Sequence, residues 1–150
     1  GERMNISAEG IALIKKFEGC KLEAYLDSVN VPTIAFGRTK NVKIGDTCTK
    51  EQAEAWLEEE MEEYEGYINN MVKVNLEQNQ FDALVAWVYN LGPTNLKDST
   101  LLKVLNESKY DGVPAQIRRW NKAGGKVLDG LIRRREAESL LFQGKEWHEV

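Results

Sequence analysis

Three residues near the N-terminus have the types and spacing that could cleave a glycosidic bond. Glu18 is followed after nine positions by Asp27, and six positions later comes the hydroxyl of Thr33. Glycoside hydrolysis needs two carboxyl groups that face each other across a cleft. One is protonated and donates a proton to the leaving oxygen, and the other is ionised and activates water. An acidic chain contains many such pairs by chance, so the pair alone does not establish an enzyme.

The elements around these residues would bring them to one cleft. Residues 8–17 predict a helix with Ser7 as N-cap and a stop near Gly19, because apolar residues recur there at three-residue spacing. Glu18 would then lie at the negative end of the helix dipole. That position disfavours an ionised carboxylate and suits a general acid.

Residues 21–43 predict a small antiparallel sheet. Residues 27–30 have the composition of a turn, and Pro32 suits the start of an edge strand. Taken alone, each carboxylate also fits a purely structural role. Glu18 is then a solvated residue at a helix end, and Asp27 only stabilises the turn.

A long helix is predicted after the sheet. Thr49 and Gln52 form a capping box, and the helix that they open reaches about residue 70, which gives a length of about 30 Å. Its many glutamates predict a solvated acidic face rather than a metal site or a partner site.

The remaining chain predicts a helical lobe. Asn75 and Gln78 are expected to cap a core helix that ends at Gly92. The other expected elements are a helix starting at Asp98 or Ser99, helices over residues 110–120 and 130–142, and a loop at residues 123–125.

Composition excludes several classes of function. The net charge of −4 makes the chain a poor general binder of nucleic acid, and no apolar run is long enough to span a bilayer. The single histidine, His148, lies near the C-terminus, which argues against a His-based metal site and a Ser-His-Asp triad. Cys20 and Cys48 do not make a disulfide framework, and two reduced thiols are expected. Residues 1–3, which precede Met4, are interpreted as a cloning remnant.

The segment from Phe17 to Thr39 resembles the phage-type lysozymes, the muramidase endolysins of T-even and lambdoid phages in glycoside hydrolase family 24. Their signature places a Glu, eight residues, an Asp, five residues and a Thr before a Gly-aromatic strand, and Glu18, Asp27 and Thr33 fall on those positions. Two positions depart from the pattern. Ala35 stands where the family usually has Gly, and Arg38 where it usually has His.

The C-terminal half carries the resemblance as well, so it covers nearly the whole chain. The matching segments are Tyr89 to Gly92, Ser99 to Leu102, Arg119 to Gly125, Gly130-Leu131, and the three arginines 133–135. The resemblance implies an α+β, two-lobed lysozyme fold over residues 4–150. A small antiparallel β-sheet lobe (about 18–48) and a helical lobe (about 75–146) would be joined by a long helix (about 50–70).

The resemblance also implies roles for individual residues. Glu18 would be the general acid, while Asp27 would stabilise positive charge on the sugar and, with Thr33, hold the attacking water. Inversion would follow, and it corresponds to a carboxylate separation of roughly 6.5–9.5 Å, whereas roughly 5 Å indicates retention. Further implied residues are Thr39, Tyr89 and Ser99 as substrate contacts, an Arg38–Glu60 pair in place of the family's His–acid pair, and Arg134 as the arginine that reaches Glu18.

The implied substrate is the β-1,4 bond between N-acetylmuramic acid and N-acetylglucosamine in peptidoglycan. No cofactor or metal is implied. The expected protein is a monomer that does not insert into membranes, and it waits in the host cytoplasm until a holin pore gives access to the cell wall. Two alternatives stay open: a lytic transglycosylase, which cleaves the same bond without water, and a wall-binding module without turnover.

Overall fold

The computed structural model describes residues 3–150, so Gly1 and Glu2 of the predicted cloning remnant lie outside it. The first helix, α1 (Ala8–Glu18), ends one residue later than predicted, where Gly19 has φ +66° and donates to the Lys15 carbonyl at 3.0 Å. Glu18 is therefore the last residue of the helix. Ser7 makes no side-chain cap, because its hydroxyl is bound by the buried carboxylate of Asp82.

A β hairpin follows α1 directly. Strand β1 (Lys21–Leu26) pairs antiparallel with β2 (Pro32–Ala35), with Tyr25 opposite Thr33. After β2 the chain reverses through a tight turn, in which Ile34 and Arg38 exchange backbone hydrogen bonds of 2.8 and 2.9 Å. Two residues of this turn have left-handed backbone conformations, Ala35 at φ +59° and Gly37 at φ +82°.

The left-handed conformation of Ala35 predicts that Ala35→Gly stabilises the protein. An L-residue there costs roughly 1–2 kcal/mol, part of which is offset by the greater freedom of glycine in the unfolded chain. We expect a net gain of about 0.5 kcal/mol, or roughly 1–2 °C in Tm. The control is Ala24→Gly in β1, where φ is not positive and a loss of about 1 kcal/mol is expected. A lower Tm for Ala35→Gly in a thermal unfolding scan would contradict this reading.

Helix α2 (Lys50–Met71) leads from the hairpin to the remaining helices. It has 22 residues, about 33 Å at 1.5 Å per residue. Thr49 caps it by accepting a 3.0 Å hydrogen bond from the Gln52 amide. Four residues form its buried face: Ala53, Leu57, Met61 and Ile68.

The helical part is built around α3 (Gln78–Leu91), whose residues 81–88 are all buried. It packs against α1, α2 and the C-terminal helix α7 (Asp129–Phe142). The predicted cap at Asn75 and Gln78 is wrong. The capping box joins Glu77 and Gln80, two residues further along the chain.

Short elements connect α3 to α7 along the chain. They are α4 (Pro93–Lys97), α5 (Thr100–Asn106), a 3-10 turn (Tyr110–Gly112), α6 (Val113–Arg118), and strands β3 (Lys122–Ala123) and β4 (Lys126–Val127). The expected loop at 123–125 is thus the turn of a two-residue hairpin, in which Gly124 and Gly125 both have positive φ. The expected helix over 110–120 is shorter and begins with the 3-10 turn.

The predicted fold class is confirmed: a small antiparallel sheet and a set of packed helices are joined by one long helix. Across residues 3–150, no helix combines the length and apolar character needed to cross a bilayer. Cys20 and Cys48 are both free thiols, and burial raises the pKa of Cys48.

Candidate active site

An open cavity of about 330 Å³ lies where the hairpin faces α2 and α3. It is lined by Glu18, Tyr25, Asp27, Thr33, Gly37, Thr39, Lys40, Glu60, Tyr64, Tyr89 and Asn90. A larger cavity of about 620 Å³ lies beside the C-terminal end of α2, but Lys73 is its only ionisable lining residue. The smaller cavity holds three carboxylates, and two of them, Glu18 and Asp27, are the pair that the sequence indicated.

The Glu18 carboxylate is held from two sides. Oε2 accepts a 2.7 Å hydrogen bond from Arg134 Nη1, and the Glu18 side chain remains 18% exposed while that of Arg134 is 4% exposed. On the other side is the backbone of Gly37, where an added Cβ would lie 2.5 Å from Glu18 Oε1. The tight turn after β2 thus packs directly on the carboxylate.

The three consecutive arginines have different partners. Arg134 binds Glu18 as predicted, and burial would lower its pKa, but the ion pairs with Glu18 and Glu138 outweigh burial and raise it. Arg133 is exposed and donates to the Val150 carbonyl at 3.2 Å. Arg135 is buried against Glu138, and burial lowers its pKa.

Asp27 is fixed by the turn that it begins. Its Oδ1 accepts hydrogen bonds of 2.9 Å from the amides of both Val29 and Val31. The hydroxyl of Thr33 donates to the Val31 carbonyl at 2.8 Å, and Thr33 is only 4% exposed. The hydroxyl proton is therefore occupied, which leaves the Thr33 oxygen to accept a hydrogen bond from a ligand in the cavity.

The expected Arg38–Glu60 ion pair is present, with Arg38 Nη1 2.7 Å from Glu60 Oε1. Arg38 also lies over the ring of Trp56, 4.7 Å from its centroid. Burial raises the pKa of Glu60, and the charge of Arg38 opposes that shift. The pair joins the hairpin to α2, and it places a guanidinium that stays charged at any physiological pH where the family usually has a titratable histidine.

The three expected substrate contacts have different surroundings. Thr39 is exposed and lines the cavity. Tyr89 also lines the cavity, but its hydroxyl donates to the Phe36 carbonyl at 2.6 Å. Burial raises the pKa of the Tyr89 hydroxyl above its ordinary value. Ser99 is not among the lining residues. It is buried as the N-cap of α5, where its hydroxyl accepts from the Leu102 amide at 3.0 Å and donates to the Leu96 carbonyl at 2.7 Å. Ser99 was expected to contact substrate, but in the structure it caps α5 and does not line the cavity.

Sequence reasoning missed five lining residues: Tyr25, Gly37, Lys40, Tyr64 and Asn90. A signal existed for Tyr25, because residues two apart in a strand share a face and Tyr25 stands two before Asp27. Tyr64 lies edge-to-face with Tyr89, 4.9 Å between ring centroids. A helical tyrosine gives no local sign of such a contact.

Within the described part of the chain, no three acidic, histidine or cysteine side chains are arranged to hold a metal ion.

Comparison with known proteins gives a consistent result. Residues 15–138 match the model of the family described as Phage lysozyme. The chain is 45% identical over 144 residues to the endolysin of Acyrthosiphon pisum secondary endosymbiont phage 1, covering 93% of this chain and 99% of that protein.

Two solved structures superpose over nearly the whole chain. The endolysin from Escherichia coli O157:H7 phage FAHEc1 has a TM-score of 0.86 and 39% identity, covering 94% of both chains. The muramidase domain of SpmX from Asticaccaulis excentricus has a TM-score of 0.87 and 35% identity, covering 93% of this chain and 98% of that one.

Proposed function

This chain belongs to the phage lysozyme family, and from that premise we propose that it cleaves the β-1,4 bond between N-acetylmuramic acid and N-acetylglucosamine with inversion. Membership makes it a glycoside hydrolase that lyses peptidoglycan. The finer assignment is supported by one observation. Glu18, from the end of α1, and Asp27, from the hairpin turn, line the same open cavity.

Glu18 is proposed as the general acid. It protonates the glycosidic oxygen as the bond to the anomeric carbon breaks, and the resulting carboxylate is stabilised by Arg134 Nη1 at 2.7 Å. Glu18 is also the last residue of α1, where the negative end of the helix dipole is located.

Asp27 and Thr33 are proposed to hold the water that attacks the opposite face of the sugar. The two amides of the turn bind one carboxylate oxygen of Asp27, so the carboxylate keeps its orientation while the second oxygen is left for ligands. Thr33 directs its proton to Val31, so its oxygen can accept one proton of the same water. The negative charge of Asp27 also stabilises the oxocarbenium-like transition state.

Product analysis tests this proposal directly. Digestion of purified peptidoglycan is expected to release reducing muropeptides whose new anomeric centre is first α, seen by NMR before mutarotation. Mass spectrometry is expected to show each product heavier by one water than the anhydro form. An initial β anomer would contradict inversion, anhydro-muramic products would identify a transglycosylase, and no release at all would favour a wall-binding module.

We further propose that the protein acts as a monomer that is held in the host cytoplasm until another phage protein, a holin, opens the membrane. Peptidoglycan glycan strands are then the substrate on which it acts. Expression without and with a holin tests this, with lysis expected only in the second case. Spontaneous lysis without the holin would overturn the proposed route.

A further inference from the structure

A buried ion cluster lies directly behind Glu18. Glu138 of α7 is 0% exposed and contacts both Arg134 and Arg135, which are 4% and 1% exposed. Its Oε2 accepts from Arg134 Nε at 3.1 Å and from Arg135 Nη2 at 2.9 Å, and its Oε1 lies 2.8 Å from Arg135 Nε. Three full charges are therefore withdrawn from water within a single turn of α7.

Two members of this cluster have no direct role at the cavity. Arg134 reaches Glu18, but neither Arg135 nor Glu138 lines the cavity that holds Glu18 and Asp27. Burying an ion pair is expensive, and well-packed apolar side chains of the same volume often stabilise a protein better. Their presence is therefore better explained by an electrostatic role than by packing.

The cluster's remaining partners are uncharged. Arg134 Nη2 donates to the Ala86 carbonyl at 3.1 Å. Arg135 donates to Asn90 Oδ1 at 2.8 Å and to the Trp120 carbonyl at 3.3 Å. The cluster itself therefore consists of two arginines and one glutamate, a net charge of +1.

We propose that Glu138 is a positioning residue for Glu18, because it shares Arg134 with Glu18 and offsets the positive charge of Arg134 and Arg135. This inference rests on the proposed role of Glu18 as general acid. Glu138 and Glu18 bind different nitrogens of the same guanidinium, so Arg134 is shared between two carboxylates. Removing one of them would leave the other to balance both arginines, which favours its ionised form.

Other charged or titratable groups face Glu18 from every neighbouring element. They are Lys16 on α1, Tyr25 and Asp27 on the hairpin, Lys40 after the hairpin, Glu60 and Tyr64 on α2, Tyr89 on α3, and Arg133 on α7. The pKa of Tyr25 and of Tyr64 is raised, first by burial, and the charge of Glu18 contributes to both shifts. None of these groups is altered in the variants below, so their effect is constant across the comparison.

The test is the pH–rate profile of peptidoglycan hydrolysis by Glu138→Gln and Arg135→Gln. Glu138→Gln makes the cluster more positive, so the alkaline limb is expected to move to lower pH by about one unit, a loss of about tenfold on that limb. On the acidic side its activity should stay within about threefold of the parent. Arg135→Gln makes the cluster less positive, and its alkaline limb is expected to move to higher pH.

The double variant, in which both residues are Gln, restores a net charge of +1 and is expected to return the limb towards its original position. Glu136→Gln is the matched control, since Glu136 lies on the same helix in an exposed pair with Arg118 and should leave the profile unchanged. If Glu138→Gln does not fold, the test rests on Arg135→Gln alone: a shift of its alkaline limb to higher pH supports the inference, and an unmoved limb contradicts it.

Two failures can be told apart. An equal loss of activity at every pH, with unmoved limbs in the folded variants, would overturn the inference and assign the cluster a structural role only. Substantial activity in Glu18→Gln would instead overturn the proposed function on which the inference rests.

Discussion

Glu18→Gln is expected to abolish lysis while the protein stays folded. The amide has no acidic proton to give to the glycosidic oxygen, and we expect a loss of about a thousandfold or more. The glutamine oxygen can still accept from Arg134, whose remaining charge is balanced by Glu138. The fold should therefore survive the loss of the 2.7 Å ion pair.

Loss of turbidity of permeabilised Gram-negative cells measures this effect, and a thermal unfolding scan checks the fold. Glu9→Gln is the matched control, because Glu9 is an exposed glutamate near the other end of the same helix. It removes one negative charge without touching the cavity, so full activity is expected. Activity of Glu18→Gln within tenfold of the parent would end the assignment of Glu18 as the acid.

Gly37→Ala is expected to have the second-largest effect, a loss of activity of about a hundredfold. The added methyl would lie 2.5 Å from Glu18 Oε1 and 3.1 Å from Cδ, so the carboxylate must move. A displacement of about 1 Å from the productive position can cost about a hundredfold in rate. The left-handed backbone at φ +82° adds roughly 1–2 kcal/mol of strain.

A second glycine separates these two effects. Gly125 has φ +80°, nearly the same as Gly37, but a Cβ there would meet nothing within 4 Å. Gly125→Ala should therefore show the same loss of stability with little loss of activity. If both variants lose stability and activity to the same extent, the contact between Gly37 and Glu18 has no special importance for catalysis.

At the two positions that depart from the family pattern, Ala35 and Arg38, the surrounding tertiary structure determines the conformation and the contacts of the residue. Ala35 keeps the left-handed conformation that a glycine would adopt more easily, because the turn from Ile34 to Arg38 is closed by two backbone hydrogen bonds. Arg38 keeps a partner on α2, since Glu60 is within reach of its longer side chain. In both cases the surrounding structure tolerates a residue that local preference alone would not choose.

Local patterns were sufficient for most helices, whereas the two-lobed fold class was implied by the resemblance to phage-type lysozymes. The three-residue spacing of apolar side chains in α1, the turn residues 27–30 and the cap at Thr49 each depend on neighbours only a few positions away. The same local order placed Glu18 and Asp27, and the family resemblance then implied their catalytic roles. One follows the apolar face of a helix, and the other begins a turn.

Contacts between distant segments were decided only by tertiary packing. Three consecutive arginines look equivalent in sequence, yet only Arg134 meets Glu18, 116 positions away, because α7 packs on α3 and α1 with that side chain inward. The same packing buries Glu138. Helical periodicity describes one face of one helix, and it carries no information about which other helix will cover that face.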